Sequence, residues 1–173
     1  GGMGVAQDRG QRYSVRGGLP GDVVDARVVK QERGGIEAVV VQRIDNRVKR
    51  ITPPCRHFGV CGGCAWQDLD YRDQLALKKG IVRHCFREAG IDGEMVEDVI
   101  GSEEAFFYRN KMDFSFGQDE AGALTLGLYV SKDKQESGAQ EHASVFDVEE
   151  CLLQSPLSNR IVSEVRDFLK GRD

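Results

Sequence analysis

Pro53-Pro54-Cys55-Arg56-His57-Phe58-Gly59-Val60-Cys61-Gly62-Gly63-Cys64-Ala65-Trp66-Gln67 is the stretch around which the chain is organised. Three of the five cysteines, Cys55, Cys61 and Cys64, fall within ten residues here, and Gly59, Gly62 and Gly63 let the backbone turn tightly enough for three thiolates to converge. Converging thiolates call for a metal. A disulfide framework is a poor alternative, because the cysteine count is odd and the remaining two lie far away at Cys85 and Cys151. Zinc and an iron–sulfur cluster compete for the site. His57 could complete a zinc site from within the loop, whereas a tight triplet plus one remote cysteine is a common iron–sulfur arrangement. Cys151 closes Asp147-Val148-Glu149-Glu150 at the end of an expected strand, where a ligand can be held rigidly. Cys85 falls on the apolar face of an expected helix and reads as ordinary core.

The patterns on the two sides of this loop differ. Before it, Val5–Gln7, Arg12–Val15, Val23–Lys30 and Ile36–Arg43 read as short strands separated by Gly-rich turns. An OB-like barrel over residues 1–46 is the expected packing, a shape that commonly binds single-stranded nucleic acid. Residues 47–69 form the linker and the cysteine loop. Residues 70–173 mix helices and strands. Asp70 caps an expected helix that Gly90 ends, with Leu75, Val82, Cys85, Phe86 and Ala89 on one face. Strands are then expected at Met95–Ile100, Tyr108–Phe116, Leu124–Val130 and Ser144–Val148. In the second of these, Met112, Phe114 and Phe116 point to the core. Ser155-Pro156 opens a last helix running to Gly171, whose apolar residues are Leu157, Ile161, Val165, Phe168 and Leu169. The class is α+β.

The 173 residues carry a net charge of −4 that is unevenly spread: +1 over residues 1–46, +6 over 47–87 and −11 over 88–173. A basic block is a candidate site for a polyanion, and is also what the solvated face of a helix looks like. No apolar run approaches the ~20 residues that cross a bilayer. Residues 1–10 show no secretory or transit signal, so a cytoplasmic location, no membrane partner and a monomer are expected.

The segment Gly59–Gln67 with Pro53-Pro54-Cys55 before it and Tyr71 and Gln74-Leu75 after it closely resembles the cluster segment of the iron–sulfur-containing RNA 5-methyluridine methyltransferases. Gly18-Leu19-Pro20-Gly21-Asp22-Val23-Val24 resembles the signature of their TRAM barrel, Tyr108-Arg109-Asn110-Lys111 their central-domain strand, and Asp147–Cys151 the segment carrying their fourth ligand. The resemblance spans nearly the whole chain and is closest to the branch acting on 23S ribosomal RNA. It implies a TRAM barrel over 1–46 lacking its first strand, a 4Fe-4S cluster on Cys55, Cys61, Cys64 and Cys151, and a central RNA-recognition domain over 70–173. It also implies S-adenosylmethionine as methyl donor, bound by a domain that this sequence does not contain. No catalytic residue and no S-adenosylmethionine ligand is expected in the chain, which reads as the front part of the enzyme and as inactive alone. The implied partner is a single-stranded or loop region of RNA, contacted by Arg109, Asn110 and Lys111 and, on the barrel, by Arg12 and Arg27, with Arg16, Lys30 and Arg43 as further candidates. A free-standing RNA-binding module with a structural zinc is the rival reading, and an electron-transfer protein ranks behind it.

Overall fold

The computed structural model describes residues 3–119, 121–131 and 144–170. They divide into two compact units, residues 1–53 with 65–99 and residues 54–64 with 100–173. The first unit starts with four strands, β1 (Met3–Asp8), β2 (Gln11–Arg16), β3 (Val23–Glu32) and β4 (Gly35–Asp45), in the spatial order β1-β2-β4-β3. β1 pairs β2 and β3 pairs β4 antiparallel, whereas β2 runs parallel to β4. Each expected strand is present and runs further toward the tight turns at Arg9-Gly10 and Arg33-Gly34 than expected, so the ladders reach the corners. Among the described residues no pairing joins β1 to β3, so the sheet has two edges where a closed barrel has none.

Arg50 ties the segment after the sheet back to it. Its guanidinium meets Asp22 at 3.1 Å and Asp68 at 2.7 Å and donates to the Gly17 carbonyl at 3.3 Å, and the Ile51 N–H donates to Asp68 O. Asp22 is almost wholly buried, and Leu19, Ala38 and Leu69 form the apolar core. This ion cluster accounts for the grouping of residues 65–99 with the sheet, where the sequence places a boundary near residue 46 and a second at 70. Helix α1 (Tyr71–Glu88) follows, capped by the Asp70 carboxylate on the Arg72 N–H. It ends at Gly90, whose φ of 74° is the left-handed turn glycine favours. No residue of α1 is buried. Leu75 and Phe86 are half-buried while Val82, Cys85 and Ala89 are exposed, so Cys85 is not core. Among the described residues the short 3-10 turn Gly93–Met95 packs on α1, and the strand expected at Met95–Ile100 is absent, with no regular structure over residues 96–100.

The second unit holds an antiparallel sheet of β5 (Ser115–Gln118), β6 (Leu124–Tyr129) and β7 (Val145–Asp147), with α2 (Pro156–Lys170) against β6. The strand expected from Tyr108 shortens to its last residues. Phe116 is exposed while Ser115 and Gly117 turn inward, so the phase of the alternation slips after Phe114. A Cβ at Gly117 would lie 2.8 Å from Val145 Cβ and 3.0 Å from Thr125 Oγ1, which leaves room on that face for glycine and not for the phenylalanine. Ser155 Oγ accepts from the Ser158 N–H and caps α2 as expected. The buried side of α2 is carried by Arg166, whose Nε meets Asp147 at 2.8 Å and whose guanidinium also reaches the Val148 carbonyl. The apolar stripe Leu157, Ile161, Val165 and Phe168 is exposed. Gly171 lies outside the described residues. No described helix is long and apolar enough to cross a membrane.

Candidate functional site

All four cysteines of the expected ligand set fall in the second unit. The hairpin 54–64 is built by backbone bonds from Cys61 N–H to His57 O (2.8 Å), Val60 N–H to His57 O (3.1 Å) and Phe58 N–H to Cys55 O (3.1 Å). It pairs with the end of β6: Gly62 N–H donates to Tyr129 O and Ser131 N–H to Val60 O, and Cys61 bridges Val130. The Gly63 N–H donates to Cys61 Sγ at 3.3 Å, and a Cβ at Gly63 would meet the same sulfur at 3.3 Å, so the residue must be small for its amide to face the thiol.

Burial pushes the Cys61 thiol up, the Gly63 N–H opposes that, and Cys64, Cys151 and Cys55 each raise it further. Among the described residues no three His, Cys, Asp or Glu side chains come together in a group that could hold a metal ion. Cys55, Cys61 and Cys64 on the hairpin and Cys151 after β7 belong to one unit, and four cysteines are a donor set whose chemistry suits a thiolate-bound metal group. His57 is used otherwise: its Nε2 accepts from the Glu149 N–H at 3.2 Å and its ring tilts against Phe146 at 5.4 Å. Burial lowers its pKa, in keeping with a neutral acceptor nitrogen. Beside it Arg56 pairs with Glu149. Cys85 belongs to the other unit and is exposed.

A cleft of ≈ 320 Å³ lies between residues 109–114 and α2. Arg109, Asn110 and Lys111, the expected RNA contacts, form one wall. Arg109 and Lys111 stay at the surface, with Lys111 paired to Asp113 at 2.9 Å. Met112 and Phe114 line the cleft from below, facing Ile161 and Val162 of α2. The wall is anchored to the segment after Cys151, since Phe107 N–H donates to Leu152 O and Arg109 N–H to Leu153 O, both at 2.8 Å. Phe107 is held at φ 56°, a left-handed conformation that bulky side chains rarely adopt. Its ring and that of Tyr108 are exposed. Gln154 and Ser158, which close the cleft, were not singled out by sequence reasoning. Neither carries a motif, and what marks Gln154 is its burial to 3% exposure.

Of the residues expected to meet RNA on the first unit, Arg12 and Arg27 are exposed. Arg16 and Arg27 stand opposite the same residue, Val39 of β4, and Arg12 shares the face of Arg16 on β2. Three basic residues thus lie on one face of the sheet. Arg43 donates to Gly17 O. On α1, Lys79 pairs with Asp98 and Arg83 with Glu94, so part of the basic block is an ion-paired helix surface.

No known family model matches the chain. It is 39% identical over 171 residues to a protein of Thermotoga maritima named an uncharacterized RNA methyltransferase, a match covering 98% of the chain and 36% of that protein. It is 34% identical over 172 residues to one of the same description from Clostridium acetobutylicum (99% and 36%). A third, from Caldanaerobacter subterraneus, is 38% identical over 128 residues (74% and 28%). The crystal structure of Pyrococcus abyssi tRNA (uracil-54, C5)-methyltransferase in complex with S-adenosyl-L-homocysteine superposes on 92% of the chain and 32% of its own with a TM-score of 0.56 at 20% identity, a likeness of fold. The chain therefore spans about a third of the length of these curated relatives, and along nearly all of its own length it is similar to a part of proteins named RNA methyltransferases.

Proposed function

We propose that the chain is the RNA-holding part of an S-adenosylmethionine-dependent RNA uracil-C5 methyltransferase, acting on an unpaired region of 23S ribosomal RNA. The observation that carries this is the joining, within one unit, of a cleft with a cationic rim to the segment that follows Cys151, through the bonds from the Phe107 and Arg109 N–H groups to Leu152 O and Leu153 O. The RNA methyltransferase names of the relatives and the fold of the tRNA uracil methyltransferase support it. Cys55, Cys61, Cys64 and Cys151 hold a 4Fe-4S cluster in this reading. Bound there, the cluster supplies a structural cross-link between the hairpin and the end of the distal sheet, since methyl transfer from a sulfonium needs no electron transfer.

The chain's own residues bind and orient. Arg109 and Lys111 meet phosphates, Asn110 offers its amide, and Phe107 and Tyr108 present faces on which bases stack. The β1–β4 sheet is read as part of a TRAM barrel over residues 1–46, with Arg12 and Arg27 following a second stretch of backbone. Uracil C5 and C6 can be attacked only when the base leaves its stack, so holding the flanking nucleotides unstacked is the service this part performs. The methyl donor and the attacking groups belong to the remainder that the relatives carry, so the chain alone transfers no methyl group.

Iron, sulfide and zinc analysis after anaerobic purification, on the native chain and on Cys151→Ser, tests the reading. About four irons and four sulfides per chain, lost in the variant, are expected. One zinc retained in Cys151→Ser replaces it with a zinc-stabilised RNA-binding module.

A further inference from the structure

Asn159, in the first turn of α2, has its side-chain orientation settled by main chain. The Cys151 N–H donates to Asn159 Oδ1 at 2.9 Å, and Asn159 Nδ2 donates to the Cys151 carbonyl at 3.0 Å. A backbone N–H can only donate and a carbonyl only accept, so the oxygen and nitrogen of this carboxamide are assigned without ambiguity. Gln154 Nε2 then donates to the same Asn159 Oδ1 at 2.6 Å. That fixes the second carboxamide in turn, and its remaining polar atom, Gln154 Oε1, is an acceptor that takes no donor from the described residues. Gln154 is 3% exposed and lines the cleft. Gln154 Oε1 is not among the fully buried side-chain atoms left without a partner, so it is accessible, and on a residue that lines the cleft it can accept an N–H that a ligand brings.

The cleft selects among ligands. Its ≈ 320 Å³ stands at the small end of ligand sites, room for one nucleoside. Met112, Phe114, Ile161 and Val162 give it apolar surface for a ring, and Arg109 and Lys111 put positive charge at its rim. We propose that the cleft takes one unstacked nucleobase of the RNA, that Gln154 Oε1 accepts an N–H from the pairing edge of that base, and that Arg109 and Lys111 hold the adjoining phosphates. This rests on the RNA reading above and adds a base-reading residue to it. Because the N–H that Gln154 receives is the one a complementary base would use, the site admits a nucleotide only when it is unpaired, and rejects one whose pairing edge carries a methyl group. Asn159 is the positioning residue, since it aims Gln154 while holding the Cys151 peptide.

Fluorescence anisotropy tests this on the intact chain with labelled decamers of uridine, cytidine and adenosine. Each is set beside its counterpart without the pairing-edge N–H: 3-methyluridine, N4,N4-dimethylcytidine and N6,N6-dimethyladenosine. At least one unmodified decamer should bind about tenfold more tightly than its methylated partner. Gln154→Leu should remove that preference, with circular dichroism showing the variant folded. Arg109→Ala and Lys111→Ala should weaken all decamers alike and each reduce the salt slope by about one. RNA binding with no preference for the unmodified base in any pair overturns the inference. A preference surviving in Gln154→Leu overturns it equally, by placing the reader elsewhere. Absence of any RNA binding overturns the RNA reading itself, a result separate from the other two.

Discussion

Arg50 shows how much a single residue can decide without any motif to announce it. In the sequence it is one charge of a basic block that invites a polyanion, but in the structure its guanidinium is spent between Asp22, Asp68 and the Gly17 carbonyl. Replacing it by alanine leaves the buried Asp22 carboxylate without its cation and with only the Leu19 and Arg47 N–H groups as donors, and breaking a buried pair costs up to about 3–5 kcal/mol. Denaturant unfolding of Arg50→Ala followed by Trp66 fluorescence should show a midpoint lowered accordingly, and a midpoint unchanged would mean that the cluster contributes nothing. The four cysteines proposed as ligands, by contrast, stand out in the sequence because thiolate spacing is a chemical requirement that shows in one dimension. Gln154 is not legible. Its role depends on which way an amide faces, and that is decided by Asn159 and the Cys151 peptide.

Local signals predict elements well where the element satisfies itself. Asp70 and Gly90 bracket α1 as expected, because a carboxylate cap and a left-handed glycine act within one turn. The 95–100 segment has strand-like composition but no partner strand among the described residues, and a ladder cannot form with water. β5 fails in a subtler way: Phe116 has the right period and the wrong face, because Val145 and Thr125 crowd the inner side of Gly117. Along α1 the ion pairs make a checkable point. Lys79 holds the Asp98 carboxyl below its ordinary 3.8, first by a hydrogen bond and then by charge. A carboxylate depressed in the folded state binds fewer protons than in the unfolded one. Its contribution to stability is therefore present above pH 3.8 and lost as the pH falls through the lower folded value. Carbon-detected NMR titration should place the Asp98 midpoint below 3.8 in the native chain and return it toward that value in Lys79→Met.

At the scale of the whole molecule the sequence divides the chain where its composition changes, while the structure divides it where contacts close. Residues 54–64 leave the first unit and join the second. The hairpin meets the rest of its unit through Tyr129, Val130, Ser131 and Glu149, and in the proposed reading the metal group adds a covalent tie at Cys151. Removing iron with a chelator should therefore raise hydrogen exchange at the Cys61, Gly62 and Ser131 amides while leaving those of β2 and β4 unchanged. Uniform loosening of both units would argue against a cross-link confined to the second.

The interruption of the first unit by the hairpin has a consequence for synthesis. Cys55, Cys61 and Cys64 leave the ribosome well before the chain that pairs with them, and Cys151 comes 87 residues after Cys64. At ordinary elongation rates that is a delay of roughly 4–20 s during which residues 65–99 can already close on the sheet. The three thiols then wait, open to oxidants and to stray zinc, until Cys151 follows. In the proposed reading, whatever delivers the metal meets the first unit before the second is complete, so the moment of loading follows from the chain order.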